Sequence, residues 1–374
     1  MTSHLPLIRS NGEPPGAAIW IRAFRADTVP VTTVRKLLLA VLLVSLAGSA
    51  FGAGTFATFN ASTTNAGSTF ASGTLVLSDK VNNGTACLSS GTTATNNVNT
   101  DTNSNATCGA AFTLATKKPG DTSTVTMQIQ NVGTVDANTG MVISGNGTCA
   151  DADTAEAYHG TGSMCGTVQT YIQQTNSGGT ATACRYGRGA YGMANGTALT
   201  FPIITTGTLG MTGDGGAAIP ATAISVLSGS TGASGAALTA YLNGLALYNT
   251  SVVFKVGDDN ILYISSKKNK GDTAQAGTSS VASLTGTALA TLGLGAPVTT
   301  AGGAAACDTT NLDPIHTLTH FTTTYTSAAA AINTGAQTAS TIDYFTLGVS
   351  IPSAAGNTIQ GRQATFGYTW TATQ

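Results

Sequence analysis

Two stretches of alternating apolar residues decide the fold class: residues 124–130 read TVTMQIQ, and residues 345–351 read FTLGVSI. In the first, Val125, Met127 and Ile129 alternate with Thr and Gln, and in the second the apolar positions are again two residues apart. A third stretch, residues 364–372, has the same period. Period two gives each strand one apolar face, as strands have in a two-layer sandwich. We therefore predict an all-β fold in the form of a β-sandwich.

The strand-rich parts lie at the two ends of the chain, at residues 58–144 and 308–374. They can form one sandwich only if the chain returns after an excursion through residues 145–307. Loops of a sandwich tolerate such insertions. We therefore predict a sandwich built from both ends, with an inserted region between them.

The inserted region has a different pattern. Leu238, Tyr241, Leu242 and Leu245 are spaced as on one face of a short helix, which Asn249 would end. Further along, residues 252–256 and 261–265 flank the turn sequence GDDN, which predicts a hairpin. We predict a small α+β module near residues 217–295.

Residues 34–57 have the organisation of an export signal. Arg35 and Lys36 precede an apolar run from Leu37 to Leu46, and small residues follow. This order is that of a cleavable signal peptide, and the run is shorter than the roughly 20 apolar residues that cross a bilayer. A membrane anchor is the alternative interpretation. Residues 1–33 precede a complete signal, and we place this extension outside the fold. The residues expected around the cleavage site are Ala50, Ala53, Ala57 and Thr58.

The chain carries few charges, with 15 Lys and Arg against 16 Asp and Glu and a net charge of −1. Such a chain lacks the basic surface that binds nucleic acid or anionic membrane. We therefore predict no nucleic-acid partner and, after cleavage, no membrane association. Disorder usually combines high net charge with few apolar residues, whereas the apolar fraction here is 42%. Low charge also makes self-association easier.

Six cysteines in an exported chain indicate disulfide bonds. The sequence does not choose among the possible pairings. We favour two local closures and one long closure, and we find no paired C-x-x-C spacing of a zinc site. The favoured pairs are Cys87–Cys108, Cys149–Cys165 and Cys184–Cys307.

Several short segments at the two ends of the chain form a recognisable series. The series begins with GAGTFATFN at 52–60 and TFASGTLVLS at 69–78. It continues with KPGD at 118–121 and QNVGT at 130–134, and it resumes at 356–359 and 366–374. In these segments the chain resembles the TasA and camelysin family of secreted fibre proteins, whose export uses a SipW-type signal peptidase. The resemblance covers less than half of the chain, and its FASGTLxL segment is the most specific part. The six cysteines and the middle module depart from the family pattern.

The resemblance implies a jelly-roll subunit of an extracellular, biofilm-matrix fibre. In that family the N-terminal segment is donated as a strand to the neighbouring copy. A strand freed by processing can add to an open sheet edge, and head-to-tail addition that does not close gives a filament. The alternative is that the strand folds back into its own sheet and leaves a monomer. The expected partners are other copies of the chain and, during export, the signal peptidase. The expected donor-strand anchors are Phe59, Phe70, Leu75 and Leu77.

The inserted module resembles, more loosely, small decorating modules of flagellar and phage-tail proteins. The similar segments are residues 237–243, 252–256, 261–266 and 279–295. Such modules usually lie on the outside of an assembly. The resemblance implies an exposed insertion, and it leaves a cell-surface adhesion or binding module as an alternative function.

A secreted metallopeptidase of the camelysin type is a further alternative, so we considered metal ligands. His316 and His320 are four residues apart, which on a helix would suit zinc. The Thr-rich sequence around them is typical of a strand, where residues four apart are about 13 Å from each other. We therefore predict no metal site, no cofactor and no catalytic residue. Asp151, Asp153 and Glu156 are interpreted as a solvated acidic loop.

Overall fold

The computed structural model describes residues 35–36, 38–40, 74–90, 108–114, 117–154, 158–269 and 279–373. The chain divides into two compact units, Met1–Phe70 and Ala71–Gln374. In the first unit, Arg35, Lys36 and residues 38–40 are helical. All strands described below belong to the second unit.

The second unit consists mainly of strands. In chain order they are β1 (Leu77–Val81), β2 (Cys87–Leu88), β3 (Thr122–Asn131), β4 (Ala137–Gly145), β5 (Ala150–Asp153), β6 (Gln169–Thr175), β7 (Ala181–Tyr186), β8 (Tyr191–Ala198), β9 (Thr205–Thr212), β10 (Ala218–Val226), β11 (Val252–Val256), β12 (Ile261–Asn269), β13 (Ala282–Thr285), β14 (Val298–Thr300), β15 (Ile332–Gln337), β16 (Ile342–Ser350), β17 (Arg362–Thr365) and β18 (Tyr368–Thr373). The helices are α1 (Met164–Thr167), α2 (Gly235–Gly244) and α3 (Leu318–Thr324), with 3₁₀ turns at Asp214–Gly216 and Asn357–Ile359.

A six-stranded antiparallel sheet forms one layer of the sandwich, in the order β2-β1-β3-β16-β6-β7. Strands β3 and β16 contain the two alternating stretches and lie side by side, with Met127 opposite Phe345. Opposite residues of an antiparallel pair project to the same face, so the two apolar faces become one. The strands predicted from these stretches are confirmed.

The second layer is a three-stranded sheet in the order β15-β4-β18. Met141 and Ile143 of β4 and Ile332 of β15 are fully buried, and they share one apolar core with the six-stranded sheet. The predicted all-β class, with two antiparallel layers around a core, is confirmed.

The predicted strand at residues 364–372 is wrong in one respect, because the chain forms two strands there. β17 pairs with β5, whereas β18 pairs with β4. The break falls at Gly367, where a Cβ atom would lie 3.0 Å from the Cβ of Asn146. Periodicity continues across the break because Phe366 also packs inward, against a small separate apolar cluster that includes Val349.

The predicted start of the insertion at residue 145 is too early. β6 pairs with β16 over residues 169–175, and β7 pairs with β6, so both strands belong to the sandwich. The sequence of β6 is QTYIQQT, in which Tyr171 and Ile172 are adjacent rather than alternating. Both side chains are buried. The ring of Tyr171 packs so close to Gly348 of the neighbouring strand that a Cβ atom at Gly348 would overlap it.

The inserted module has an apolar core of its own, made by residues between Ala194 and Leu294. It contains the sheets β10-β9-β13 and β11-β12-β8-β14, with α2 beside β11. The module therefore begins with β8, before the predicted start at residue 217. It ends with β14, after the predicted end at residue 295. Met193 of β8 belongs to the sandwich core and Ala194 to the module core, so one strand joins the two.

The helix and the hairpin predicted inside the module are both present. Helix α2 begins after Ser234, whose Oγ accepts a hydrogen bond from the N–H of Ala237 at 3.2 Å. It ends at Gly244, earlier than the predicted end at Asn249, because Leu245 already has extended backbone angles. Strands β11 and β12 pair in antiparallel register, with Asn260 in the left-handed region at φ 60° in the turn.

Candidate functional site

Three disulfide bonds join all six cysteines, and the three pairs favoured from the sequence are confirmed. They are Cys87–Cys108, Cys149–Cys165 and Cys184–Cys307. Such bonds persist in oxidising compartments, which indicates an extracellular environment. In the described part of the chain, no helix has both the length and the apolar character needed to cross a bilayer.

The longest disulfide closes the loop that contains the whole module. Cys184 lies on β7 and Cys307 follows β14, with a sequence separation of 123. Both cysteines are buried. The N–H of Cys184 donates a hydrogen bond to the carbonyl oxygen of Ala304 at 2.8 Å. The bond therefore holds the two ends of the module's chain at one point of the six-stranded sheet.

The expected donor-strand anchors fall into two groups. Phe59 and Phe70 lie outside the described residues, as do the cleavage-site residues Ala50, Ala53, Ala57 and Thr58. Leu77 lies at the start of β1, opposite Asn131 of the same chain. Leu75 lies two residues before Leu77, between Thr74 and Val76, whose carbonyls accept hydrogen bonds from the N–H groups of Thr134 and Val132. Leu77 thus pairs within its own chain and Leu75 lies in the segment that precedes this strand, and donation of these residues to a neighbouring copy stays a prediction.

The pairing of residues 74–76 depends on Gly133. A Cβ atom at this position would overlap the carbonyl oxygen of Thr74. We expect Gly133→Ala to loosen this segment and to lower the free energy of unfolding by about 1–3 kcal/mol, measured by urea denaturation. Gly109→Ala is the control, because a Cβ there meets nothing within 4 Å. Equal stability of the two variants would contradict the close approach.

The sandwich is covered unevenly along the six-stranded sheet. Over β7, the ring of Tyr186 packs against Tyr191, Phe321 and Tyr325 within about 6 Å, and all four rings are buried. At the opposite side, Leu77 and Val81 of β1 contact the same core but are only partly buried. The core is therefore well closed over β7 and incompletely closed over β1.

Two partly buried aromatic residues from other segments also contact the sandwich core. Phe112 contacts the sandwich core and lies 6.2 Å from the ring of Phe366, measured between centroids. Trp370 packs on Phe345 at 4.6 Å, and Phe345 lies in the same row of the sheet as Met127 and Val81. Among the described strands, β18, which contains Trp370, pairs with β4 alone and so lies at the edge of its sheet. We call this region the open flank and define it by Leu77, Asp79, Val81, Phe112 and Trp370.

The open flank contains a carboxyl group on the core side of the sheet. Asp79 lies between Leu77 and Val81 with period two, and it is opposite the fully buried Ile129 of β3. Its Oδ1 atom is buried and finds no hydrogen-bond partner among the described residues. Burial raises the pKa of Asp79 to about 6.

Trp370 also has a polar atom without a partner. Its indole Nε1 is buried and makes no hydrogen bond to any described residue. A buried indole N–H usually finds an acceptor, so this one lacks the partner expected of it. The open flank therefore offers partly exposed apolar side chains, an edge strand, one unmatched donor and one unmatched carboxyl oxygen.

A polar row continues inward from the open flank. Asp343 of β16 lies on the far side of Ile129 from Asp79 and accepts a hydrogen bond from Gln174 at 3.2 Å. Arg185 of β7 donates to Gln174 and, across the sandwich, to the carbonyls of Asn333 and Thr334. Burial raises the pKa of Asp343, although Gln174 and Arg185 partly offset this effect.

The predicted strand around the two histidines is wrong, because this segment forms α3. Thr317 caps the helix, with its hydroxyl accepting a hydrogen bond from the N–H of His320 at 3.3 Å. The rings of His316 and His320 are 5.2 Å apart between centroids, much closer than in a strand. The distance argument against a shared metal therefore fails.

Other groups already engage one nitrogen of each histidine. Nδ1 of His316 lies 2.8 Å from a carboxylate oxygen of Asp313, and Nδ1 of His320 lies 2.8 Å from the hydroxyl of Tyr186. Burial, with the charge of His316, lowers the pKa of His320 to about 3, against the opposing effect of Asp313. Within the described ranges, no group of three or more His, Cys, Asp and Glu residues has the arrangement of a metal site.

The acidic segment after Cys149 has structural partners. Asp151 accepts hydrogen bonds from the hydroxyl of Ser163 at 2.6 Å and from the N–H of Cys165 at 2.9 Å. Asp153 forms an ion pair with Arg362 across the β5–β17 pair. Glu156 lies outside the described residues. The predicted solvated loop is therefore, at Asp151 and Asp153, a strand with polar contacts.

Sequence reasoning missed Asp79 and Trp370 as site residues. For Asp79 a signal was available, because the run LVLSDKV places a carboxylate between two apolar residues at period two. For Trp370 the alternation indicated an inward-facing ring but not its unmatched N–H.

No protein-family model matches this chain, and no curated protein matches it significantly.

Proposed function

We propose that this chain is a secreted structural subunit that polymerises through an N-terminal donor strand into extracellular, biofilm-matrix filaments. The observation that carries the proposal is the open flank, where an edge strand adjoins a sandwich core left incompletely covered. Edge strands of this kind accept further strands unless they are protected. The disulfides support an extracellular location, and the signal-like sequence at 34–57 supports export.

The proposed occupant is residues 58–73 of a second copy. This segment directly precedes the first described residues of the sheet and follows the expected cleavage site. Fully extended, it would span about 50 Å, more than the length of one strand of the sandwich. Phe59 and Phe70 are the proposed apolar anchors. Leu75 and Leu77 would hold the donated segment to its own subunit.

The arrangement favours growth rather than closed dimers. The donor segment and the open flank are different surfaces of one chain, so each contact is head-to-tail. Such contacts produce a filament when the rotation between copies does not close a ring. Low net charge keeps repulsion between copies small.

Deletion of Thr58–Gly67 from the mature protein tests the proposal. We expect the deleted protein to remain folded and to form no filaments in negative-stain electron microscopy. A point variant, Phe59→Ala, should reduce filament formation strongly, because it removes one anchor. Asn60→Ala is the matched control, since the neighbouring residue of a strand projects to the opposite face. Normal filaments from the deleted protein would sink the proposal and favour a monomer whose strand folds into its own sheet.

A second candidate function is that of an adhesion or binding module. It is favoured by Ile204 and Leu227, which are 63% and 50% exposed. Ile204 precedes β9 and Leu227 follows β10, at the end of the hairpin where Thr205 pairs with Val226. Loss of surface binding in an Ile204→Ser/Leu227→Ser variant with normal filaments would assign this role to the module.

A further inference from the structure

We infer that Asp79 makes strand addition at the open flank proton-dependent, so that the neutral form of its carboxyl group accepts the incoming strand and the ionised form opposes it. This inference rests on the proposed function and concerns the regulation of that same site. It is carried by the position of the carboxyl group on the core side of β1.

The geometry leaves Asp79 with little to stabilise a negative charge. Its neighbours along the core side of β1 are Leu77 and Val81, and its neighbour across the sheet is Ile129. On the other side, β2 places Cys87 opposite it, and this cysteine is in a disulfide bond. Oδ1 has no hydrogen-bond partner in the described chain.

The charged groups nearby do not compensate for this environment. Neither β2 nor the facing residues Gln128, Ile129 and Gln130 of β3 carry a charge. The next group along the row is Asp343 of β16, which is itself acidic. The cation of that region, Arg185, donates to Gln174 and to the carbonyls of β15. Gln337 of β15, which donates to the carbonyl of Ile129, is neutral.

A strand laid over the open flank would remove the remaining water from Asp79. Burying an ionised carboxylate without a partner is unfavourable, whereas a neutral carboxyl group can donate a hydrogen bond. The incoming segment between Phe59 and Phe70 is rich in Thr, Ser and Asn, which offer acceptors for that proton. Addition should therefore be tighter at pH 5 than at pH 8.

The test measures binding of a synthetic peptide, residues 58–73, to the protein that lacks Thr58–Gly67. We expect the dissociation constant to be about tenfold or more higher at pH 8 than at pH 5, because affinity scales with the fraction of competent acceptor. In the Asp79→Asn background, binding at pH 8 should match that of the parent at pH 5. Asp258→Asn, on the exposed turn between β11 and β12, is the matched control and should keep the full pH dependence.

The outcomes separate this inference from the proposed function. Equal peptide affinity at pH 5 and pH 8, or an unchanged pH dependence in Asp79→Asn, overturns the role of Asp79 and leaves donor-strand assembly intact. No peptide binding at any pH overturns both. Asp79→Leu is the second variant, in case the Asn side chain disturbs the strand, and it should also bind independently of pH.

Discussion

Removal of the Cys184–Cys307 bond by the double substitution C184A/C307A is expected to lower the free energy of unfolding by about 5 kcal/mol. A cross-link restricts the unfolded chain more when it closes a longer loop, and this loop spans 123 residues. Domains of this kind are stable by about 5–15 kcal/mol in total. The variant should therefore be marginally stable or unfolded, as measured by urea denaturation under non-reducing conditions.

The matched control is C149A/C165A, which opens a loop of 16 residues. The same relation gives about 3 kcal/mol for that bond. The expected order, with the long closure costing more, follows from chain entropy and from the position of the bond at the junction of module and sandwich. If the short closure proves to cost as much as the long one or more, the long disulfide does not constrain the module as described.

The parts of the fold that could be predicted are those governed by local pattern. β3 and β16 alternate cleanly because one face of each is buried along most of its length. The helix α2 has its buried Leu238 and Leu242 four residues apart and a serine cap. The favoured disulfide pairs rested on a preference for two short loops, and the structure contains those two loops and the long closure.

The segments that misled prediction are those in which tertiary packing outweighs local preference. The Thr-rich sequence LTHFTTT has the composition of a strand but forms α3. There, Thr322 and Thr323 donate their hydroxyl protons to the carbonyls of Leu318 and Thr319, four residues earlier. These bonds let β-branched side chains lie on a helix that Phe321 anchors in the core.

Of the two parts of the candidate site, only the donor segment could be predicted from the sequence. The donor segment could be proposed from its position after the signal, and Phe59 and Phe70 stay predictions. The acceptor could not be proposed, because it combines β1, β18 and residues 108–114, which are far apart in sequence. Only the packed structure shows that Trp370 packs on Phe345, which lies in the same row of the sheet as Met127 and Val81.

The second large effect is expected at the buried pair of Asp313 and His316, each of which is only 1% exposed. The Asp313 carboxylate accepts hydrogen bonds from the backbone N–H groups of Ile315 and His316 at 2.9 Å and faces the imidazole at 2.8 Å. Nε2 of His316 is buried and has no partner in the described chain. Removal of the carboxylate would leave the imidazole without its one polar side-chain contact among the described residues.

We expect Asp313→Ala to lower the free energy of unfolding by about 3–5 kcal/mol at pH 7, the usual cost of breaking a buried pair from one side. Burial alone would raise the pKa of Asp313, but His316 and the backbone N–H groups lower it below its ordinary value. An acid with a lowered folded-state pKa stabilises the fold above its unfolded pKa of about 4, and this stabilisation is lost as the pH falls through the folded value. The difference between wild type and variant should therefore be constant from pH 7 to about 5 and shrink below about pH 4.

The double variant Asp313→Ala/His316→Phe distinguishes the contribution of the Asp313–His316 pair to stability from that of the packing of the His316 ring. Replacing both members of a buried pair with apolar groups often costs little, so the double variant should be more stable than Asp313→Ala alone. Asp258→Asn, on an exposed turn, should change stability by no more than about 0.5 kcal/mol. If the double variant loses as much free energy of unfolding as the two single variants Asp313→Ala and His316→Phe lose together, the two residues are not coupled. The aromatic cluster around Tyr186 would then owe its position to packing alone.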